Sequence, residues 1–396
     1  MRTDPATPGG PWSRRSFLTA AACGTAGAVL GDPAAAQEKK PEDLKKRTDE
    51  AVARGLEWLK KTQSAAGHWA VGNNQYPVSM TGLAGMCLLM EGSTLKEGKY
   101  SNEIQKAVDW LLARQQANGL IADPRDPRET ARYLYGQGFA TLFLSCAYGD
   151  AEDEEKQKKI ETCLTKAVEF ICKAQTDKKH QLPEGKQVDV GGWGYVSPAD
   201  ARRDFDEGSV TITQLQALRA ARNALIPVPK ETINKALAYL EACTTPNGGV
   251  IYSYSQAGGN ARNGAERIPL TAAAVACSFS AGQYKGDLAK KWIKFCKEKI
   301  PLAQGRQAHD EYQSYYYSQA VYVLGEDRYG ELFPNEDKKN WLTWSKYRDV
   351  MFPYILDQQD KMSGAWTTGS VGPVFVTAVN LTILQLDKGI LPIYQR

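Results

Sequence analysis

The sequence predicts an all-α chain of six helix-pair repeats, and three observations predict it. A unit recurs along most of the chain: an aromatic residue followed by an aliphatic one on a helix, Gln five positions after the aromatic, a Gly/Trp turn, then a second helix rich in small residues. Its anchor aromatics stand at positions 58, 110, 170, 239, 295 and 354, a mean period of about 59 residues. The 396 residues are 42% hydrophobic and 24% charged, enough apolar material for the core of a soluble globular protein. Thirty-five Gly, 19 Tyr and 9 Trp place bulky aromatics beside Gly-rich turns, as a repeated supersecondary unit requires. Length alone would predict two or three domains, but a fixed period overrides it, because each pair must bury its apolar face on its neighbours. A row of six pairs leaves two raw ends; a ring leaves none.

The first 36 residues are read as an address. Ser13-Arg14-Arg15-Ser16-Phe17-Leu18 is a twin-arginine signature, followed by the apolar stretch Phe17 to Leu30 and the small-residue site Ala34-Ala35-Ala36. Fourteen residues are too few for a bilayer, which needs about 20. The expectation is a signal peptide over 1–36, a mature domain over 37–396 without a transmembrane segment, and export by the twin-arginine route to the periplasm or cell envelope.

The copies follow in order. The first has Trp58-Leu59, Gln63, Gly67 and Trp69, with Thr81-Gly82-Leu83-Ala84 on its second helix. The second has Trp110-Leu111, Gln115 and Gly119, then Gly136-Gln137-Gly138-Phe139-Ala140. A third helix is expected to begin near Asp150, a capping residue ahead of an acidic run that favours a helix start. It leads to Phe170-Ile171 and Gln175, then Gly191-Gly192-Trp193-Gly194-Tyr195 and Ser209-Val210-Thr211. Copy four keeps Tyr239-Leu240 and Gly248-Gly249 with Thr244 in place of Gln; copy five, near Phe295, has lost both Gln and the Gly/Trp turn. Copy six restores them with Tyr354-Ile355, Gln359, Gly364 and Trp366, then Gly372-Pro373-Val374 and Thr377-Ala378.

Charge and motif content exclude several functions. Forty-nine Lys+Arg against 45 Asp+Glu leave a formal charge of +4, which demands no nucleic acid partner. The seven cysteines after residue 36 are odd in number and form no CxxC pair, so buried free thiols are expected. His68, His180 and His309 have no ligand at metal spacing, so neither metal nor cofactor is expected. No P-loop ending and no Gly-x-Ser-x-Gly elbow occur.

These repeats resemble those of the terpenoid cyclase/protein prenyltransferase superfamily, in particular squalene-hopene cyclase, over nearly all of residues 45–396. The resemblance implies an (α/α)6 toroid with inner helices around a central cavity. In squalene-hopene cyclase an Asp-x-Asp-Asp acid motif follows a Gly-Gly-Trp turn; here Gly191-Gly192-Trp193 is followed by Asp204-Phe205-Asp206-Glu207. The resemblance therefore implies Asp206 as a Brønsted acid, with Asp204 and Glu207 beside it, opening an isomerase-type cyclisation of an isoprenoid or similar apolar molecule. Aromatic faces would stabilise the cation, with Trp193, Tyr195, Tyr252, Tyr254, Tyr312 and Tyr316 as the candidates. Arg202 and Arg203 lie just upstream, and a nearby cation favours an ionised carboxylate. A plainer reading makes Asp206, Glu207 or Ser209 the cap of an inner helix. Two other functions fit the same sequence: a non-catalytic envelope binder or scaffold with an unidentified protein partner, and an α/α-toroid polysaccharide lyase or glycosidase. The latter would use carboxylates and basic groups among Asp204, Asp206, Glu207, Arg262, Glu266, Arg267, Asp310 and Glu311.

Overall fold

Helices with one apolar stripe alternate along the chain with helices that are apolar or small on every side, and this alternation sets two concentric layers. The computed structural model describes residues 41–150, 153–182, 184–201, 205–280, 286–302 and 310–395. In chain order the helices are α1 (Pro41–Thr62), α2 (Pro77–Glu91), α3 (Ser101–Leu112), the single turn α4 (Pro127–Thr130), α5 (Tyr133–Ala147), α6 (Glu154–Lys173) and α7 (Gly208–Asn223). Then come α8 (Lys230–Ala242), α9 (Ile268–Ser280), α10 (Asp287–Lys299), α11 (Asp310–Leu332), α12 (Trp344–Asp357) and α13 (Pro373–Gln385). The expected signal segment lies outside the described residues.

A helix that is apolar all round must be surrounded by protein. Helices α2, α5, α7 and α13 are buried almost from end to end. With α9 and α11 they form the inner ring: α2 packs on α5, α5 on α7, α7 on α9, α9 on α11, α11 on α13, and α13 returns to α2. Neighbours run in the same direction, since Gly82 and Gly85 of α2 abut Phe139 and Phe143 of α5 in step. A Cβ at Gly82 would sit 2.6 Å from the Phe139 carbonyl, so only glycine lets these two backbones approach. The outer layer, α1, α3, α6, α8, α10 and α12, buries one stripe each, as Ile104, Ala107, Val108 and Leu111 do on α3.

The repeated Gln is a staple between outer helices. The side-chain amide of Gln63 donates to its own turn at Gly67 (2.9 Å) and to Glu103 of α3 (2.9 Å). Gln115 reaches Cys163 of α6 at 2.7 Å, and Gln175 reaches Gly191 and Thr232 of α8 at 2.9 Å each. Gln359 donates to Gly364 and to Ala51 of α1, both at 2.8 Å, and so closes the ring across 308 residues of chain. The repeated Trp is the wedge between layers. Nε1 of Trp69, Trp193 and Trp366 donates at 2.7 Å to the carbonyl of Leu59, Ile171 and Ile355, the aliphatic residue after each anchor aromatic. Their backbone N–H groups donate to Thr81, Thr211 and Thr377 of the inner helices. Where copy four has Thr244, its hydroxyl accepts from Trp292 of α10 instead.

Three features depart from the expected plan. Asp153, not Asp150, caps α6, accepting from the Lys156 N–H at 2.6 Å. The insertion between Gln175 and Trp193 folds as an antiparallel hairpin, β1 (Lys178–Gln181) with β2 (Gln187–Val190), pairing Lys178 with Val190. Helix α11 breaks at Gly325, whose φ of 60° and ψ of 177° suit only glycine. After α13 the chain turns back across the C-terminal ends of the inner helices. The buried Tyr394 hydroxyl lies 3.3 Å from that of Tyr315, and the turn Pro392–Tyr394 packs on α7. One end of the inner ring is thus plugged by the chain's own tail.

The seven cysteines are all free thiols, five of them buried. Among the described residues no helix is long and apolar enough to cross a membrane.

Candidate functional site

The other end of the inner ring, where its helices begin, collects the chain's chemistry. Helix α7 starts at Gly208, and the extended segment before it is pinned on both sides: Glu207 N–H donates to Trp193 O (2.9 Å) and Gly208 N–H to Tyr252 O (3.0 Å). Gly194 allows this approach, since a Cβ there would meet the Phe205 carbonyl at 2.3 Å. Successive side chains of an extended segment point to opposite faces. Asp206 and Glu207 therefore part company.

Asp206 points towards the outer layer. Its Oδ1 accepts from Tyr239 OH of α8 (2.9 Å), Tyr254 N–H (2.8 Å), Ser253 Oγ (3.1 Å) and Ser255 N–H (3.2 Å). Its Oδ2 accepts from Lys178 Nζ of the hairpin (2.7 Å) and from Ser255 Oγ. Burial alone would raise this carboxyl's pKa, but the Lys178 and Ser255 hydrogen bonds and the Lys178 charge outweigh it and hold the group below its ordinary value. A saturated, ionised carboxylate is poorly placed to donate a proton.

Glu207 points into the ring. It is 1% exposed and caps α7 through Oε2, which accepts from Val210 N–H (2.9 Å), Ser209 Oγ (2.5 Å) and Tyr135 OH of α5 (3.3 Å). None of these three bonds goes to Oε1. Burial pushes the Glu207 carboxyl above its ordinary value, and the Ser209, Val210 and Tyr135 hydrogen bonds only partly offset this.

Around Glu207 lies an aromatic mouth. Tyr195 and Tyr252 hydrogen-bond hydroxyl to hydroxyl. The Tyr195 ring lies 6.0 Å from Tyr135 and 5.6 Å from Phe205, centre to centre. Among the described residues the buried Tyr312 hydroxyl has no hydrogen-bond partner within bonding geometry, and its pKa is pushed well up by burial, with the charges of Tyr316, Tyr135 and Glu207 adding to it. Its ring stacks edge-on at 4.8 Å against Tyr316, one turn deeper. Arg132 and Arg267 sit at the rim, their guanidinium carbons 4.7 Å and 5.9 Å from the centres of the Tyr195 and Tyr252 rings.

Of the residues nominated from sequence, the structure brings Glu207, Tyr195, Tyr252 and Tyr312 together, with Tyr316 beneath. Trp193 is a fully buried wedge, and Tyr254 lies on the outer side with its hydroxyl 2.9 Å from His180 Nδ1. Asp204 and His309 lie outside the described residues. Tyr135, Ser209 and Arg132 complete the cluster without having been nominated for it. The repeat carried their signal: Gln137 and Thr211 both receive a turn N–H, so Tyr135 and Ser209 occupy one register position, two residues earlier. A cavity of about 440 Å³ lies elsewhere, where α11 breaks, lined by Val323, Leu324, Glu326, Asp327, Arg328, Trp344 and Ser345 and by none of the mouth residues. The mouth is the better candidate site, because its carboxyl and aromatics converge.

No family model matches the chain, and no curated protein matches its sequence. Solved structures do match its fold. An α-1,6-mannanase of Salegentibacter sp. superposes with a TM-score of 0.57 at 11% identity, covering 87% of this chain and 99% of that one. The type II terpene cyclase MstE of Scytonema, solved with geranylgeranyl dihydroxybenzoate, gives 0.51 at 13% identity, covering 89% and 100%. A protein from Actinoplanes gives 0.51 at 15% identity, covering 85% and 98%. The fold is an α/α toroid. The toroid hosts unrelated chemistries, so these likenesses fix architecture and leave function to the site. Among the described residues no three His, Cys, Asp or Glu side chains are placed to hold a metal.

Proposed function

We propose that the toroid binds an isoprenoid or similar apolar chain at its mouth and protonates it from Glu207, an isomerase reaction of the class II terpene cyclase type. The observation that carries this reading is the contrast between adjacent carboxyls. Asp206 is ionised and turned outward; Glu207 is buried, raised in pKa and turned onto aromatic faces. The acid position thus moves one residue from the one the resemblance nominates. With Oε2 anchored by three donors, Oε1 is the oxygen left to carry the proton. Transfer to an alkene carbon forms a C–H bond and a carbocation next to the rings of Tyr195, Phe205, Tyr252 and Tyr312. The Glu207 carboxylate left behind is held by Ser209, Val210 N–H, Tyr135 and the positive end of α7. Ring closure and loss of a proton back to Glu207 complete an isomerisation without any co-reactant.

Incubation with squalene and with geranylgeraniol, analysed by gas chromatography and mass spectrometry, tests this. Cyclised products are expected from the wild type and from Asp206→Asn that remains folded, and none from Glu207→Gln; turnover by Glu207→Gln refutes the acid assignment. Binding without turnover in every variant would leave a carrier. The partly exposed tyrosines and the mannanase likeness favour a second reading, glycoside cleavage, which requires a second carboxylate across the cleft. Against it, Glu207 is the carboxylate whose charge acts on Tyr135, Tyr252 and Tyr312 alike. The reading includes export directed by residues 1–36, which fractionation of cells expressing the chain with Arg14 and Arg15 replaced by Lys would test.

A further inference from the structure

The first N–H groups of a helix present positive potential, so capping positions favour Asp, Asn, Ser and Thr and disfavour cations. Of three successive inner helices of the toroid, the outer two depart from this and the middle one does not. Arg132 holds the N-cap position of α5 with no side-chain cap bond. Glu207 caps α7. Arg267, whose carbonyl accepts from Thr271 N–H at 3.0 Å, stands in the same place before α9. Two cations therefore oppose helix dipoles on either side of the mouth carboxyl. Local rules broken in this way are expected where function demands it.

Neither arginine forms an ion pair among the described residues, and both are exposed. Each instead lies against one ring of the hydroxyl-linked Tyr195 and Tyr252 pair, which joins the two into one platform. Below it the buried Tyr312 hydroxyl, within electrostatic reach of Glu207 and Tyr135, has no hydrogen-bond partner among the described residues. An unpaired guanidinium presents a planar fork of donors suited to carboxylate or phosphate oxygens.

We propose that the substrate carries an anionic group, a carboxylate or a phosphate, which Arg132 and Arg267 bind across the Tyr195–Tyr252 platform while the rest of the molecule reaches Glu207 and the Tyr312 hydroxyl. This rests on the mouth being the substrate site. The anion supplies the countercharge that these helix starts lack, and it fixes which end of the substrate faces the acid.

Calorimetric titration of the full chain with three probes sharing one hydrocarbon tests it: geranylgeranyl phosphate, geranylgeranoic acid and geranylgeraniol. At least one anion should bind about tenfold or more tightly than the alcohol, losing affinity with added salt. Arg132→Gln and Arg267→Gln should each weaken the anion about tenfold and leave the alcohol unchanged, with thermal midpoints near the wild type because both side chains are exposed. The preferred anion identifies the head group. Equal affinity for the alcohol and both anions, or unchanged anion binding in both variants, overturns the proposal. So does failure of all three probes and of an oligogalacturonate. Oligogalacturonate binding that both arginine variants lose, with no prenyl probe bound, keeps the anion subsite and overturns the isoprenoid reading. Glu207→Gln that binds the anion normally but still turns it over keeps the subsite and overturns the acid.

Discussion

Replacing Asp206 by Asn takes one charge and one acceptor from a carboxylate that now serves six donors. The four donors on Oδ1, from Tyr239, Ser253, Tyr254 and Ser255, can stay with the amide oxygen. The loss falls on Oδ2, where an NH₂ would face Lys178 Nζ, now at 2.7 Å, and the Ser255 hydroxyl. The Lys178 side chain is 19% exposed, so its ammonium would lose its carboxylate partner while mostly buried, keeping the Ser255 hydroxyl. Breaking a buried pair on one side costs about 3–5 kcal/mol, and partial exposure places this one near the low end, at about 3 kcal/mol. Urea denaturation followed by tryptophan fluorescence reads it directly. The difference has a pH signature. A folded-state pKa below the ordinary aspartate value of 3.8 contributes stability that is present above pH 3.8 and lost as pH falls through the lowered value. Wild type and variant should therefore converge in acid and diverge towards neutrality. A loss under about 0.5 kcal/mol at pH 7 would refute the brace assignment. So would a fully stable variant that has lost all turnover, which would return Asp206 to the acid role.

Other perturbations probe other parts of the toroid. Gln359→Ala removes bonds to Ala51 and Gly364 and the acceptor of Arg54, and should cost about 2–3 kcal/mol, with faster amide exchange confined first to α1 and α12; uniform exchange would argue against a local seam. Glu129, buried with its oxygens on the Asp123 and Val78 N–H groups, is pushed by burial up to about 7. Its raised value contributes stability that is fully present below the ordinary 4.5 and is lost, by up to about 3 kcal/mol, as pH rises to about 7, so over this window denaturation midpoints should fall less in Glu129→Gln than in the wild type. Turnover should likewise weaken as pH rises through the raised value of Glu207, and a rate that climbs instead would point to a base. Gly194→Ala forces a Cβ to 2.3 Å from the Phe205 carbonyl and should destabilise by about 1–3 kcal/mol; an unchanged midpoint would show that the 193–195 strip is free to move.

The ring was legible because its determinants are periodic. Each Gln staple and Trp wedge joins groups at fixed offsets within one repeat, and a carbonyl on the next outer helix supplies the rest. Even the degenerate copies were readable, as Thr244 in place of Gln marks the seam where Trp292 must reach across instead. The hairpin was not legible, because its hydrophobic alternation is short and polar, and its role comes from docking, of Lys178 onto Asp206 and of His180 onto Tyr254. The site was half legible. A motif names four consecutive positions, but which carboxyl faces the ring depends on the phase of an extended segment held by Trp193 and Tyr252 from distant turns.

That phase explains how two carboxyls in adjacent residues have their pKa values moved in opposite directions. Had Asp206 and Glu207 both faced the mouth, each would have raised the other's pKa, and Lys178 could have neutralised only one. By alternating them across the strip, the fold assigns one to the hairpin and the other to the aromatics. The ionised brace then fixes the backbone that aims the proposed acid: Asp206 is anchored by Tyr254 and Ser255 N–H groups on one side, and Glu207 caps α7 on the other. Glu207 is therefore positioned by two independent restraints, a cap and a neighbour's ion pair. Its environment, not its place in the motif, decides in which direction each carboxyl's pKa moves.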